Sequence, residues 1–291
     1  MPSAPLSDIL VPWYRQFARD LPWRRDGFGA WGTLVSEFML QQTPVARVIP
    51  LLEAWLARWP TPTDLANAAP GEAVAAWANL GYPRRALWLH RAAVEIRDRH
   101  NGVVPREVDQ LLALTGIGDY TARAVAVFAY GDHHPVVDTN TRRVMARALS
   151  GRAHPGAAHK RDLEQMAALL PDDRAESALM NAAVMELGQV ICTARSPKCG
   201  DCPIRDACAW VAAGSPATED TRRKQAKYEG SDRQARGAVM KALRAAAPDP
   251  LPRAALLVDW HDLEQRERAL ISLENDGLIE PDGELVGLPT R

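Results

Sequence analysis

The stretch Leu114-Thr115-Gly116-Ile117-Gly118-Asp119-Tyr120-Thr121-Ala122 lies between two segments of helical periodicity. Two glycines one residue apart permit positive φ angles and expose consecutive backbone N–H groups. At the N-terminus of a helix starting near Tyr120, these groups would form an anion-binding nest, strengthened by the helix dipole. This is the arrangement of a helix–hairpin–helix, which holds a DNA phosphate without reading the base sequence. The alternative interpretation is a tight turn between two packed helices.

The flanking sequence predicts helices almost throughout. Val48, Leu52 and Trp55 fall on one apolar stripe of a helix that must stop at Pro60. The alternation typical of strands is absent before residue 278. We therefore predict an all-α body.

Composition describes a globular chain with an uneven charge distribution. The 291 residues are 47% hydrophobic and carry a net charge of -1, which excludes a mostly disordered chain. No apolar run approaches the roughly 20 residues of a membrane span and no secretory signal is visible, so a cytoplasmic protein without membrane contact is expected.

The positive charge is concentrated in one part of the chain. Between Arg84 and Arg161 there are 13 Lys and Arg residues and 7 Asp and Glu residues. Such a basic strip suits an anionic partner touched on one face; a surface compensated within the fold explains it equally well.

The four cysteines form the sharpest signal. Cys192, Cys199, Cys202 and Cys208 are the only cysteines of the chain, and they lie within 17 residues of one another. Disulfides are not expected without an export signal, so the spacing C-x6-C-x2-C-x5-C predicts a metal site. Tetrahedral sulfur ligation suits both zinc and an iron–sulfur cluster, and the spacing alone does not choose between them.

Two carboxylates stand out by their surroundings. Glu37 follows the apolar run that starts at Trp31 and precedes the amide pair Gln41-Gln42, although it lies off the centre of the apolar face, where an exposed surface glutamate is the simpler interpretation. Asp138 follows three apolar residues and precedes a basic helix. The simpler interpretation makes Asp138 or Asn140 the N-cap of that helix. Otherwise Asp138 is a partly desolvated carboxylate that stabilises a nearby cation.

The C-terminal residues differ in composition. The segment 211–230 has no apolar periodicity and reads as a linker. Beyond it, 231–246 and 263–275 are predicted helices, and 278–286 predicts a small hairpin. Helices followed by a hairpin suggest a winged-helix-like module at 231–291. Its second helix carries four acids and two arginines from Asp262 to Asn275, which favours packing or protein contact over a DNA groove.

Four segments together resemble a known family. SEFMLQQTPV (36–45), LTGIGDYTA (114–122), VVDTNTRRV (136–144) and ELGQVICTARSPKCGDCPIRDAC (186–208) occur in this order. The resemblance is to the helix–hairpin–helix base-excision glycosylases, most closely the adenine DNA glycosylase (MutY) family, from about Leu21 to Cys208. It implies two helical lobes with a DNA-binding cleft between them and a 4Fe–4S cluster held by the four cysteines. The expected organisation is a glycosylase domain at 1–210, with a six-helix lobe at about 30–135 and a cluster lobe at 1–29 and 136–210, then the linker and the module.

The resemblance also implies catalytic roles. Glu37 would be the general acid that protonates N7 of adenine, because adenine is otherwise a poor leaving group. Asp138 would stabilise the oxocarbenium-like sugar either electrostatically or through a transient covalent bond, as carboxylates do in sugar hydrolysis. Tyr120 occupies the hairpin position at which strand-cutting relatives carry a Schiff-base lysine. We therefore expect a monofunctional glycosylase that flips adenine out of the duplex.

Further residues are implied as contacts with the substrate. Gln42 and Tyr82 would wedge into the duplex, and Thr43 would touch the base opposite the flipped adenine. The other predicted DNA contacts are Gly116, Gly118 and Arg143. The predicted substrate pocket contains Arg24, Leu40 and Asn140.

Departures from the family pattern keep other functions open. Pro44 stands where glutamine is common, and Ala182 stands where Glu or Gln often follows the asparagine. Residues 231–291 are too few and too helical in pattern for the Nudix-like domain that is usual in the family, so we do not expect that domain here. The expected partner is double-stranded DNA with adenine opposite 8-oxoguanine or guanine, bound by a monomer, with a protein partner for the C-terminal module. The alternatives are a thymine/uracil mismatch glycosylase of the same fold and a non-enzymatic iron–sulfur DNA-binding regulator.

Overall fold

The computed structural model describes residues 5–217 and 227–290. The chain folds as two units. Unit 1 comprises Met1–Ala30, Arg106–Asp109 and Gly118–Arg222; unit 2 comprises Trp31–Pro105, Gln110–Ile117 and Arg223–Arg291. The helices are α1 Leu6–Phe17, α2 Gly29–Leu40, α3 Val45–Arg58, α4 Pro62–Asn67, α5 Pro70–Ala76, α6 Arg84–Arg99, α7 Val108–Leu112, α8 Asp119–Tyr130, α9 Thr139–Ala148, α10 Lys160–Ala167, α11 Arg174–Val190, α12 Ala209–Ala212, α13 Asp232–Ala246 and α14 Leu263–Asn275. The strands are β1 Leu251–Pro252, β2 Glu280–Asp282 and β3 Leu285–Gly287.

Unit 1 is built around helix α11, which packs against α1 and α9. The apolar faces of these helices meet in one core, because the small and aliphatic residues of each recur at helical spacing. Core side chains that are at most 4% exposed include Leu10, Val11, Val144, Met145 and Leu187. The core extends to Ile204 inside the cysteine loop, so the loop is packed against the same helices.

The first part of unit 2 is a helical lobe with a tryptophan cluster. The predicted stripe on α3 is buried at Val48, Leu52 and Trp55. Trp55 lies edge-on to Trp59 and Trp77, with ring centroids 4.7 and 5.7 Å apart. Edge-to-face rings of this kind add to area burial, and they fix α3 against the end of α5.

The C-terminal module belongs to unit 2 and has a winged-helix-like form. Helices α13 and α14 pack together, and their bounds follow the predicted segments closely. The predicted hairpin is present as β2 and β3, with Pro281 opposite Val286. A third strand, β1, pairs with β3, so that the sheet order is β1-β3-β2. The sequence did not predict β1, since two residues that include Pro252 carry no alternation.

The predicted linker at 211–230 is described only in part. Its residues 218–226 lie outside the described residues. Within the two described ranges, no helix is both long and apolar enough to cross a membrane.

Candidate active site and cluster loop

The predicted hairpin at 114–122 is divided between the two units. Its residues up to Ile117 belong to unit 2, and those from Gly118 onward belong to unit 1. Gly116 has φ +80°, and a Cβ there would lie 2.8 Å from Cβ of Trp88 and 3.1 Å from Phe38, so only glycine fits. The Glu95 carboxylate accepts hydrogen bonds of 2.8 Å from both the backbone N–H and the hydroxyl of Thr115. The turn is thus fixed by α2 and α6.

Gly118 does not adopt the positive φ angle that the sequence allowed at both glycines of the hairpin. It is the N-cap of α8, with an extended backbone at φ -100°, and a Cβ there would meet no described atom within 4 Å. A positive φ is therefore required at Gly116 but not at Gly118. The open space at Gly118 leaves the first N–H groups of α8 accessible, as an anion nest requires.

Glu37 is buried inside α2. Every residue of that helix from Trp31 to Met39 is buried, and Glu37 is 8% exposed. The exposed surface glutamate that the helical wheel also allowed is therefore wrong, because α2 is covered on all sides. A carboxyl in such surroundings is shielded from bulk water.

The predicted wedge residues share an unusual backbone. Gln42 and Tyr82 have φ of +56° and +46°, the left-handed region that side chains with a Cβ rarely adopt. Both are exposed, Tyr82 to 56%. Non-glycine residues in this region cost about 1–3 kcal/mol and persist only where their surroundings hold them. Such strain is concentrated at functional sites, and here it falls on two residues singled out for DNA contact.

Arg85 ties the two wedge loops together within unit 2. Its side chain is buried at 4% exposure and donates hydrogen bonds to the carbonyls of Phe38 at 2.8 Å, Gln41 at 2.6 Å and Gly81 at 3.2 Å. Its guanidinium carbon lies 5.4 Å from the ring centre of Tyr82. Burial lowers the pKa of Arg85, yet its charge is retained because arginine titrates so high.

Thr43 adds a second link between the same loops. Its hydroxyl donates to the Leu80 carbonyl at 3.1 Å, and the residue is 7% exposed. A direct base contact by Thr43 stays a prediction. Leu40, predicted to line the pocket, is half-buried at the end of α2.

Asp138 is both the N-cap of α9 and the end of a hydrogen-bond chain. Its Oδ1 accepts from the Thr141 N–H at 2.7 Å, and its Oδ2 accepts from the Asn140 amide at 2.6 Å. The N-cap interpretation of Asp138 is therefore correct as local structure. It does not exclude a catalytic role, since the half-buried carboxylate is held in one orientation by these two donors.

Arg143 continues this chain to the cysteine loop. It donates to Asn140 Oδ1 at 2.7 Å, to the Gly188 carbonyl at 2.6 Å and to the Cys192 carbonyl at 2.6 Å. A Cβ on Gly188 would lie 2.7 Å from Cβ of Asn140, so α9 and α11 touch at this point. The predicted DNA contact Arg143 is thus 7% exposed and bound inside unit 1; its position makes it a link between Asp138 and a cluster ligand.

Arg24 is held by a buried carboxylate that sequence reasoning missed. The Glu186 side chain is fully buried and accepts from Arg19 at 2.7 Å and from Arg24 at 2.7 Å. Burial alone would raise the pKa of Glu186, but the hydrogen bonds from the two arginines lower it to about 2. Arg24 also lies over the Tyr14 ring, 5.1 Å from its centre. The signal available in the sequence was an acid set among apolar residues near the end of a helix, six positions before the first cysteine.

The remaining catalytic candidate, Tyr120, lies in the first turn of α8. It is half-buried and packs against the apolar cluster of Ala124, Val127 and Val136. The structure thus places a phenol, not an amine, at this hairpin position. A lysine nucleophile is absent there by sequence.

The four cysteines line a single cavity. They share it with Arg147, Leu187, Ile204 and Trp210. In the parts of the chain that the structure describes, no three His, Cys, Asp or Glu side chains are spaced to hold a single metal ion.

The surroundings of this cavity fit an iron–sulfur cluster. Burial raises the pKa of Cys202 to about 11 and also raises the pKa of Cys199, so thiolates here need the positive charge of a metal. Arg147, which is 3% exposed, donates to Cys192 Sγ at 3.3 Å and lies 4.9 Å from the Trp210 ring centre. An arginine hydrogen bond to a ligand sulfur is a typical influence on a cluster.

The outer face of the cysteine loop is positively charged. Arg195, Lys198 and Arg205 lie on this loop, and all three are exposed. By contrast, much of the basic strip predicted from the sequence is engaged internally: Arg85, Arg143 and Arg147 are buried, and Arg142 binds Asp162 at 2.7 Å. Several basic side chains of residues 84–161 are thus turned into the fold and do not form part of an exposed strip.

Comparison with known proteins agrees with this geometry. Residues 35–168 match the HhH-GPD superfamily of base excision DNA repair proteins, and residues 192–208 match the iron–sulfur binding domain of endonuclease III. The latter match covers all four cysteines, and it identifies the cofactor as a 4Fe–4S cluster. Among solved structures, a thermostable thymine-DNA glycosylase superposes with a TM-score of 0.65 at 25% identity, covering 72% of this chain and 95% of that one.

Two curated relatives span nearly the whole chain. An adenine DNA glycosylase of Mycolicibacterium smegmatis is 55% identical over 272 residues, which are 93% of this chain and 91% of the relative. An adenine DNA glycosylase of Mycobacterium tuberculosis is 51% identical over 272 residues, 93% of this chain and 88% of the relative. An alignment of this length extends beyond residue 210 into the C-terminal module. The chain therefore belongs to the adenine DNA glycosylase family of helix–hairpin–helix base-excision repair enzymes.

Proposed function

We propose that the protein releases adenine from duplex DNA in which adenine is mispaired with 8-oxoguanine or guanine. The observation that carries this proposal is the identity of 51–55% to adenine DNA glycosylases over 93% of the chain. The substrate is the double helix, and the adenine must be extruded before its N9 can be reached.

Glu37 is the proposed general acid. Its carboxyl donates a proton to N7 of the flipped adenine, and the C1′–N9 bond breaks with its electron pair on the base. A water oxygen then adds to C1′, and the proton that this water loses restores the acid form of Glu37. The burial of Glu37 at 8% exposure supports this role, because a buried acid side chain meets the flipped base away from bulk water.

Asp138 is the proposed stabiliser of the sugar cation. Departure of the base leaves positive charge on C1′ and O4′, and an oriented carboxylate in partly desolvated surroundings attracts that charge strongly. The two hydrogen bonds to Asp138 support the role, since they fix the carboxylate before the charge develops. Arg24 and Asn140 are proposed to line the same pocket.

The remaining parts hold and deform the DNA. The accessible N–H groups at the start of α8, at Gly118, are proposed to bind a backbone phosphate, and the cations of the cysteine loop another. The cluster, when bound, ties the four cysteines into one unit and so orders this loop. Gln42 and Tyr82 are proposed to enter the gap left by the flipped nucleotide. With Tyr120 in place of a lysine nucleophile, strand cleavage is not part of the reaction.

The test compares duplexes that carry A opposite 8-oxoguanine, A:G, A:C, T:G or U:G. We expect alkali-dependent cleavage of the adenine strand only. Glu37→Gln and Asp138→Asn should bind the mispair with affinity close to that of the unaltered protein and release no base, while Glu53→Gln, an exposed control on α3, should be fully active.

Two results would contradict this proposal. Cleavage at T:G or U:G in preference to A would assign the chain to thymine or uracil removal, as in the structural relative. DNA binding without base release from any duplex would favour the non-enzymatic iron–sulfur regulator.

A further inference from the structure

Helix α5 is held at both ends by the C-terminal module. At its start, the Gly71 N–H donates to the Pro289 carbonyl at 2.7 Å. At its end, Arg244 of α13 donates to the Val74 carbonyl at 3.0 Å and to the Ala78 carbonyl. The last carbonyls of a helix lack partners within it and carry partial negative charge. Arg244 therefore caps α5 from a distant part of the chain.

The segment that follows α5 carries the predicted wedge. Ala78 has φ +47° and Tyr82 has φ +46°, so the loop between α5 and α6 is strained at both of these residues. Arg244 binds the carbonyl of the first strained residue. On the far side of the loop, Arg84 at the start of α6 lies 3.2 Å from Asp276 of the module.

The contacts are close and partly desolvated. A Cβ on Gly71 would lie 2.6 Å from the Pro289 carbonyl oxygen, so the C-terminal tail packs directly on α5. Arg244 is half-buried, and burial lowers its pKa to about 10. A charged group that is partly removed from water must be satisfied by hydrogen bonds. For Arg244 these are the bonds to the Val74 and Ala78 carbonyls.

We propose that the C-terminal module is a positioning element for the Tyr82 loop, and that Arg244 is its principal positioning residue. The module binds α5 before the loop and α6 after it. These contacts hold Tyr82 in its strained, exposed conformation in the protein without DNA. This inference rests on the proposed role of Tyr82 in wedging the duplex.

The first experiment needs no catalysis. Hydrogen–deuterium exchange of the full-length, cluster-loaded protein without DNA should rise in a peptide covering residues 77–84 in Arg244→Met. It should not rise there in Arg268→Met, which alters an exposed arginine of α14. Gly71→Ala, which displaces the tail at the other end of α5, should reproduce the effect and provides an independent variant if Arg244→Met folds poorly. Unchanged exchange in both variants overturns the proposal.

The second experiment is a double-mutant cycle on single-turnover adenine release. Arg244→Met should slow release by about ten- to a hundredfold, and Arg244→Lys should restore part of the rate. If Arg244 acts through the loop, adding Arg244→Met to Tyr82→Ala should slow it no further. Effects that multiply, or an Arg244→Met variant as fast as Arg268→Met, refute the proposal. Absence of adenine release by the unaltered protein would instead refute the proposed function and leave the exchange result to decide the positioning role.

Discussion

The buried carboxylate Glu186 offers a prediction whose size follows from the structure. Its pKa of about 2, against an ordinary value of 4.5, corresponds to about 3 kcal/mol of folding free energy at neutral pH, because each pKa unit is worth about 1.4 kcal/mol. The side chain has no exposed surface, so solvent screening does not diminish this value at the carboxylate. We therefore expect Glu186→Gln to destabilise unit 1 by about 3 kcal/mol at pH 7.

The sign of the pH dependence follows from the lowered pKa. A carboxylate with a depressed pKa stabilises the fold above its unfolded-state pKa, and this contribution is lost as the pH falls through the folded-state pKa. The difference between Glu186→Gln and the unaltered protein should therefore be constant from pH 7 to about 5 and narrow between 4.5 and about 2.

The assay is the apparent thermal midpoint of the cluster-loaded protein at a series of pH values. For a unit of this size, about 3 kcal/mol corresponds to a decrease of about 6–12 °C. The matched control is Glu176→Gln on the same helix, which removes an exposed ion pair with Arg15 and should cost less than about 1 kcal/mol. Equal midpoints for the two variants at pH 7, or a Glu186→Gln deficit that stays the same down to pH 3, would refute this reasoning.

Three further predictions address the hairpin and the cluster. Gly116→Ala should lower the unfolding free energy by about 2–4 kcal/mol through its positive φ and its clash with α6, whereas Gly118→Ala should change it by less than about 1 kcal/mol; equal thermal midpoints for these two variants would count against the described turn. Tyr120→Lys should introduce strand cleavage that borohydride traps as a protein–DNA adduct, and absence of the adduct would mean that this position does not reach C1′. Arg147→Met should leave Cys192 without its hydrogen bond and speed the loss of cluster absorbance in air about tenfold or more, with loss at the unaltered rate as the contrary result.

The candidate site was predictable where its signal is local. The hairpin, the cysteine loop and the N-cap at Asp138 lie within short segments whose residue types define a turn, a ligand set or a cap. The two C-terminal helices were predicted for the same reason. Gly118 shows the limit of this reasoning, because the spacing of two glycines does not say which of them needs a positive φ.

The burial of Glu37 could not be decided from a helical wheel. A wheel predicts one buried face, but α2 is covered on every side, because elements distant in sequence surround it. The basic strip was misleading for a similar reason. A count of charges does not distinguish Arg85 or Arg143, which turn inward to carbonyl groups, from an arginine in water.

The sequence by itself determined the helical class, the hairpin and the cluster ligands of this protein, since each depends on neighbours within about one or two helical turns. Only the tertiary structure decided which arginines serve the site. Arg143 meets Gly188 across 45 positions, Arg24 meets Glu186 across 162, and Arg244 meets Val74 across 170. Hydrogen bonds over such separations depend on how helices pack, and no periodicity within a single helix records them.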